Sequence, residues 1–232
     1  MINIRKSKDR GVANFGWLDS KHTFSFANYY NPTQMGFGAL RVINEDKILG
    51  GAGFDTHGHK NMEIVSYVIE GALAHKDSTG VSSVIWPGDI QRMTAGTGVE
   101  HSEYNHEKTS TSHFLQIWIH PKVKDLPPSY EQKSFSEKLS TGELILVASK
   151  DGRDDSVTVQ QDVDIYALKS SLKGKIEKVV GKESKVWIQV IRGALSINNL
   201  TLESGDGASI EGISDLHLNW SAPVELLMFE FV

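Results

Sequence analysis

The chain of 232 residues contains no cysteine. Disulfides, thiolate nucleophiles and thiolate metal sites are thereby excluded, and any metal must be held by nitrogen and oxygen. A long hydrophobic run is also missing. Nothing approaches the roughly 20 consecutive apolar residues of a membrane span, and residues 1–6 turn polar too early for the apolar core of a signal peptide. The expected compartment is the cytoplasm, without membrane contact. Positive charge is in deficit, with 24 Lys and Arg against 29 Asp and Glu. That removes the electrostatic basis for direct nucleic-acid binding. Helical periodicity is scarce, a stretch at 134–139 offering a turn or two. No Gly-rich phosphate loop or Ser nucleophile elbow occurs.

What the chain does have is short β-rich runs, at 63–69, 82–86, 114–119, 144–148, 185–191 and 225–231, broken by Gly, Asp, Asn and Pro. The closely spaced turn signals predict an all-β sandwich or barrel. Pro121, Pro127 and Pro128, with polar residues between them, suggest a linker at 122–134 separating domains at 1–121 and 135–232. The halves share an echo. Val68-Ile69-Glu70-Gly71-Ala72-Leu73 recurs as Val190-Ile191-Arg192-Gly193-Ala194-Leu195, and Pro87-Gly88-Asp89 as Ser204-Gly205-Asp206. Two matches in the same order predict a duplicated β domain.

Histidine is unevenly shared: of nine, only His217 lies beyond His120. Two clusters stand out. In Gly51-Ala52-Gly53-Phe54-Asp55-Thr56-His57-Gly58-His59, two histidines at i and i+2 share one face of an extended chain and can reach one ion, with Gly58 permitting close backbone approach. In Gly98-Val99-Glu100-His101-Ser102-Glu103, an imidazole and a carboxylate repeat that spacing. Either pair alone reads as exposed polar loop or strand edge. Together they describe a site of three imidazoles and one carboxylate, suited to first-row divalent metals. Gln116, polar in an apolar run, is a candidate to hydrogen-bond a metal-bound group or to satisfy buried backbone. Trp17, Phe24, Phe26, Phe54 and Phe114 read as core first and as pocket walls second. His22 reads as packed, and His106 and His113 as solvated.

These clusters resemble the two cupin motifs. Gly51, His57, His59, Glu63 and Gly71 match the first, with a last spacer one residue long. Gly98, His101 and Asn105 match the second, with Gly96 where a Pro is usual. Within cupins the chain resembles the pirin family, through Gly16-Trp17-Leu18-Asp19-Ser20, His22-Thr23-Phe24-Ser25-Phe26, Thr56-His57-Gly58-His59 and Ala95-Gly96-Thr97-Gly98-Val99-Glu100-His101-Ser102-Glu103. The first half is covered densely and the second loosely.

The resemblance implies a bicupin of two tandem barrels, with one metal in the N-terminal barrel held by His57, His59, His101 and Glu103. Glu63 is then a residue behind the ligands or an alternative ligand. Iron(II) is the metal the family implies, although the donor set also suits zinc, manganese, nickel, cobalt or copper. In the second copy Val179 and Gly181 align with His57 and His59, and Leu218 and Trp220 with His101 and Glu103, so that barrel is expected to hold no metal. A monomer is expected. The implied activity is that of a quercetin 2,3-dioxygenase, in which dioxygen opens the flavonol heterocycle, carbon monoxide leaves and Glu103 acts as base. The competing class is a non-enzymatic, redox-sensing regulator that works by binding a protein partner; a third is a metal-dependent isomerase or hydrolase. A pocket reaching the metal distinguishes an enzyme from a sensor.

Overall fold

A strand buries alternate residues, and Val99–Asn105 does so without exception: Val99, His101, Glu103 and Asn105 are buried, while Glu100 and Tyr104 face out. The computed structural model describes all 232 residues, Met1–Val232. It is 57% strand and 4% helix, so strands alone must build the core.

Residues Gly11–Phe135 with Val157–Gln161 form one compact unit. Its larger sheet runs in the order Ser129–Ser134, Asp89–Thr94, Glu63–Glu70, Ser112–Ile119, Leu40–Ile48, Leu18–His22, Gly11–Asn14. The smaller sheet runs Gly53–His59, Val99–Asn105, Leu73–Asp77, Ser82–Ile85. Two apolar clusters join the sheets. In one, Leu18, Ile48, Val68 and Phe114 pack on Leu73 and Ile85. In the other, Ile64 and Met93 pack on Val99, with Trp118 beside them. Period-2 alternation then fixes what lies between the clusters. Ser66 falls between Ile64 and Val68, Gln116 between Phe114 and Trp118, and His101 is the next inward residue after Val99.

The register extends this polar break into a row. His22, Asn44, Gln116, Ser66, Gln91 and Gln132 stand directly opposite one another on six successive strands of the larger sheet, and so share its inner face. Five of the six are buried, Gln132 being half-buried.

Met1–Arg10, Ser136–Ser156 and Asp162–Val232 form the second unit. Its larger sheet includes, in order, Ile2–Arg5, Gly207–Glu211, Lys185–Arg192, Val224–Phe231, Val163–Ser170 and Ile145–Ser149. Its smaller sheet runs Gly174–Val179, Asp215–Trp220, Ala194–Ile197, Leu200–Glu203. On Asp215–Trp220 the inward residues are Leu216, Leu218 and Trp220, and His217 faces out. The sequence echo has a backbone counterpart. Gly71 and Gly193 both end a strand with φ near +75°, at 73° and 79°. A Cβ on Gly193 would lie 2.1 Å from the Pro223 carbonyl oxygen.

The units depart from the expected boundaries at 1–121, 122–134 and 135–232. Ser129–Ser134, expected in the linker, pairs along its whole length with Asp89–Thr94 and closes that edge. Ile2–Arg5, expected in the first domain, pairs with Gly207–Glu211, and Asp206 accepts from Lys6 Nζ at 2.8 Å and from the Ser7 backbone N–H at 2.7 Å. The helical signal at 134–139 amounts to the single turn Ser136–Leu139.

Candidate metal centre

Gly53–His59 and Val99–Asn105 are antiparallel neighbours in which His101 faces His57 and Val99 faces His59. Three imidazoles therefore meet. Ring centroids are 4.8 Å apart for His57 and His59, 4.5 Å for His57 and His101, and 4.9 Å for His59 and His101. One nitrogen from each can lie within 4.8 Å of the others. Glu103 joins through His101, in an overlapping group with His75. Its carboxylate accepts from Gln116 Nε2 and, at 3.4 Å, from Ser66 Oγ.

A β-bulge between His101 and Glu103 places Phe54, not Asp55, opposite Glu103. Both Phe54 and His57, three residues apart, thus turn to the inner face while Asp55 and Thr56 are exposed. Gly58 does not serve close approach as expected, because a Cβ there would meet nothing nearer than 3.8 Å. Gly96 has a firmer reason. Its φ is 48° and a Cβ would lie 1.9 Å from the Leu126 carbonyl oxygen. Proline, fixed near −65°, cannot take that conformation.

The electrostatics favour the neutral forms of His59 and His101. Burial, reinforced by His57, lowers His59 to about 4. Burial, then His57, His59 and His75, lowers His101 to about 3. His57 Nδ1 lies 2.7 Å from the Asp55 carbonyl oxygen. A carbonyl only accepts, so Nδ1 carries the proton and Nε2 is free to ligate. His101 Nε2 is buried with no hydrogen-bond partner. An orphaned imidazole nitrogen among two other imidazoles fits a metal ion, and the nitrogen and oxygen donors fit a divalent one.

Glu63 is not drawn in. It is fully buried, but its Oε2 accepts from Thr94 Oγ1 and from the Gln160 backbone N–H, each at 3.0 Å. It lies on the opposite face of Glu63–Glu70 from Ser66, the residue that touches Glu103. Parity with His57 and His59 does not carry across residues 60–62, where Asn61, with φ 52°, interrupts the chain between strands of different sheets.

A cavity of about 460 Å³ reaches the histidines, within the range of roughly 300–1,000 Å³ for small-ligand pockets. Val12, Phe15, Phe26, Tyr29 and Phe54 make an apolar lining, and His22, Asn44, Asp46, His57, His59 and Gln116 supply its polar groups. Phe26, Phe54 and His22 are thus walls as well as packing, whereas Phe24 and Phe114 are buried in the core and do not line the cavity. His113 is buried against Glu45 at 3.0 Å rather than solvated. His101 and Glu103 lie behind the lining, Glu103 being 1% exposed.

On three residues that line the cavity, Asn44 Oδ1, Asp46 Oδ1 and Trp118 Nε1 are buried without partners. Each such group costs about 1–3 kcal/mol. Burial pushes two nearby carboxyls up to about 7. For Asp46 the Ser20 hydroxyl opposes the shift, and Glu45 and Asp19 add to it. For Glu103 Gln116 opposes it and Asp46 adds to it.

Asp46 binds its proton more tightly folded than unfolded, so its contribution is complete below about 4 and is lost as pH rises towards 7. The metal-free protein is expected to lose stability over that window. Asp46→Asn is expected to recover up to about 4 kcal/mol of it at pH 7, read as a flatter urea-midpoint profile. Equal slopes for both proteins would refute the assignment.

Comparison with known proteins bears on family and fold. A family model described as Pirin matches residues 4–119, and one described as Quercetinase C-terminal cupin domain matches residues 146–231. The chain is 44% identical over 230 residues to quercetin 2,3-dioxygenase of Escherichia coli, covering 99% of this chain and 98% of that protein. It is 36% identical over 231 residues to a pirin-like protein of Caulobacter vibrioides, covering 99% of each. The crystal structure of the bacterial pirin YhhW in complex with nickel(II), from Escherichia coli, superposes with a TM-score of 0.94 at 44% identity, over 100% of this chain and 99% of that one. A quercetin 2,3-dioxygenase from Acinetobacter baumannii shares the fold, with a TM-score of 0.80 at 20% identity, over 99% of this chain and 85% of that one.

Proposed function

Since the chain belongs to the pirin family, we propose that it is a metal-dependent dioxygenase that opens the heterocycle of quercetin-like flavonols with dioxygen and releases carbon monoxide. The observation that carries this reading is the cavity, which joins an apolar lining to His57 and His59. A redox sensor acting through its surface has no use for such a chamber. His57, His59, His101 and Glu103 would hold the metal, iron(II) in this reading; a nickel(II) complex is known for a relative. When bound, the metal supplies Lewis acidity towards a ligand hydroxyl and a redox centre for dioxygen.

The residues supply the rest. The apolar walls strip water from a flat aromatic ligand and orient it. Asn44 and Asp46 would supply polar groups to its hydroxyls from the cavity lining. Glu103 would take the proton of the hydroxyl nearest the histidines. Asp46 lines the cavity and Glu103 does not, so Asp46→Asn is the control for the base assignment. With iron(II)-loaded protein, quercetin is expected to disappear with one dioxygen consumed per flavonol. Unchanged quercetin in protein shown to hold iron would turn the assignment towards the sensor.

A further inference from the structure

His101 is held from behind by a second histidine whose own partner dictates its proton. We propose that Asp77 and His75 are positioning residues that set the tautomer of His101 and so present its Nε2 to the metal, an inference that rests on the metal-site reading above. Leu73–Asp77 runs beside Val99–Asn105 with His75 opposite Glu103 and Asp77 opposite His101. His75 Nε2 lies 2.9 Å from Asp77 Oδ2, and His75 Nδ1 lies 3.4 Å from His101 Nδ1. Both side chains of this hydrogen-bonded pair are buried, at 0% and 1% exposure, and burial lowers the pKa of His75.

The protons follow in sequence. Carboxylate oxygens accept, so His75 Nε2 carries a hydrogen directed at Asp77. A neutral His75 then has a bare Nδ1, which can only accept. His101 must donate to it from Nδ1, and its Nε2, the buried nitrogen without a partner, is left with its lone pair. The unit is built to keep this arrangement. Asp77 Oδ1 is fixed by Thr79 N–H at 2.9 Å, by Thr79 Oγ1 at 2.6 Å and by Val81 N–H at 3.2 Å. The Tyr130 ring covers His75 with centroids 5.0 Å apart, and the Tyr130 hydroxyl is tied to Ser83 and Gln132.

Asp77→Asn tests the relay without removing the turn, because the carboxamide oxygen can keep the Oδ1 bonds. Its NH2 then faces His75 Nε2 as a donor. That drives the proton of His75 to Nδ1, which in turn makes His101 Nδ1 an acceptor and protonates Nε2. In the metal-free protein, long-range 1H–15N NMR is expected to show His101 as the Nδ1–H tautomer in the wild type and as Nε2–H in Asp77→Asn. Ni(II) affinity by calorimetry is expected to fall about 10–100-fold. His75→Gln, whose amide can donate to Asp77 and accept from His101, is expected to stay near wild type, whereas His75→Leu matches the Asp77→Asn loss. Cu(II) bound to His75→Gln should still show three imidazoles in pulsed EPR. A wild-type Nε2–H tautomer, or equal Ni(II) affinity in wild type and Asp77→Asn, would overturn the proposal. An imidazole lost in His75→Gln would instead make His75 a ligand and overturn it too. A wild type that takes up no Ni(II) while showing the Nδ1–H tautomer would sink the metal-site reading and leave the relay standing as a hydrogen-bond network.

Discussion

Replacing His57 and His59 together by alanine is expected to cut divalent-metal affinity by more than about 100-fold, beyond the loss that changes outside the ligand set produce. Two of the three clustered imidazoles vanish, leaving His101 with Glu103 behind the cavity wall. The fold is expected to survive, because both rings are half-exposed and the strand Gly53–His59 keeps its backbone pairing with Val99–Asn105. Metal-free stability should change by less than about 1 kcal/mol. Calorimetric titration with Ni(II) alongside urea unfolding reads both quantities. Undiminished affinity would place the metal elsewhere, at the overlapping group of His75, His101 and Glu103.

Glu103→Gln is expected to lower turnover about 10²–10⁴-fold, the usual worth of a general base, with metal still bound. The substitution is close to isosteric. The new carboxamide oxygen can accept from Gln116 Nε2, and its NH2 can donate to Ser66 Oγ, so both contacts of the carboxylate have a counterpart. Three imidazoles remain for the ion. Loss of turnover together with loss of metal would reduce Glu103 to a ligand. Full turnover in Glu103→Gln combined with its loss in Asp46→Asn would move the base to Asp46.

Much of this site was legible because strand parity is simple. The pairs His57 with His59 and His101 with Glu103 each sit two apart, and each pair does face inward. Parity also misled. Glu63 has the same odd numbering as His57 and His59, yet the break at Asn61 starts a new strand in another sheet. Phe54 reaches the site through a bulge, which no alternation rule anticipates. The polar row from His22 to Gln132 was invisible for a different reason. Each member is one polar residue in its own strand, and the register of six strands is needed to align them. His75 and Asp77 likewise gain meaning only from the neighbour they pair with.

The fold class was readable from turn spacing and from the Val-Ile-x-Gly-Ala-Leu echo, and the chain is indeed a pair of cupins of the pirin type. The boundaries between its units were not. Ser129–Ser134 carries Ser, Tyr, Glu, Gln, Lys and Ser, an unpromising strand by composition. It is held by its ladder to Asp89–Thr94 and by Glu131 pairing with Arg92 at 3.2 Å. Ile2–Arg5 finds its partner about 200 residues away, and no local pattern reports so distant a pairing.

With a metal at the histidine cluster, the protein is expected to open a flavonol with loss of one carbon. The direct measurement is carbon monoxide released per quercetin consumed, by protein loaded with Fe(II) under inert gas and then exposed to dioxygen, beside the His57→Ala, His59→Ala double variant. One carbon monoxide per flavonol is expected for the wild type and none above background for the variant. Quercetin consumed without carbon monoxide, or equal release by both proteins, would contradict it.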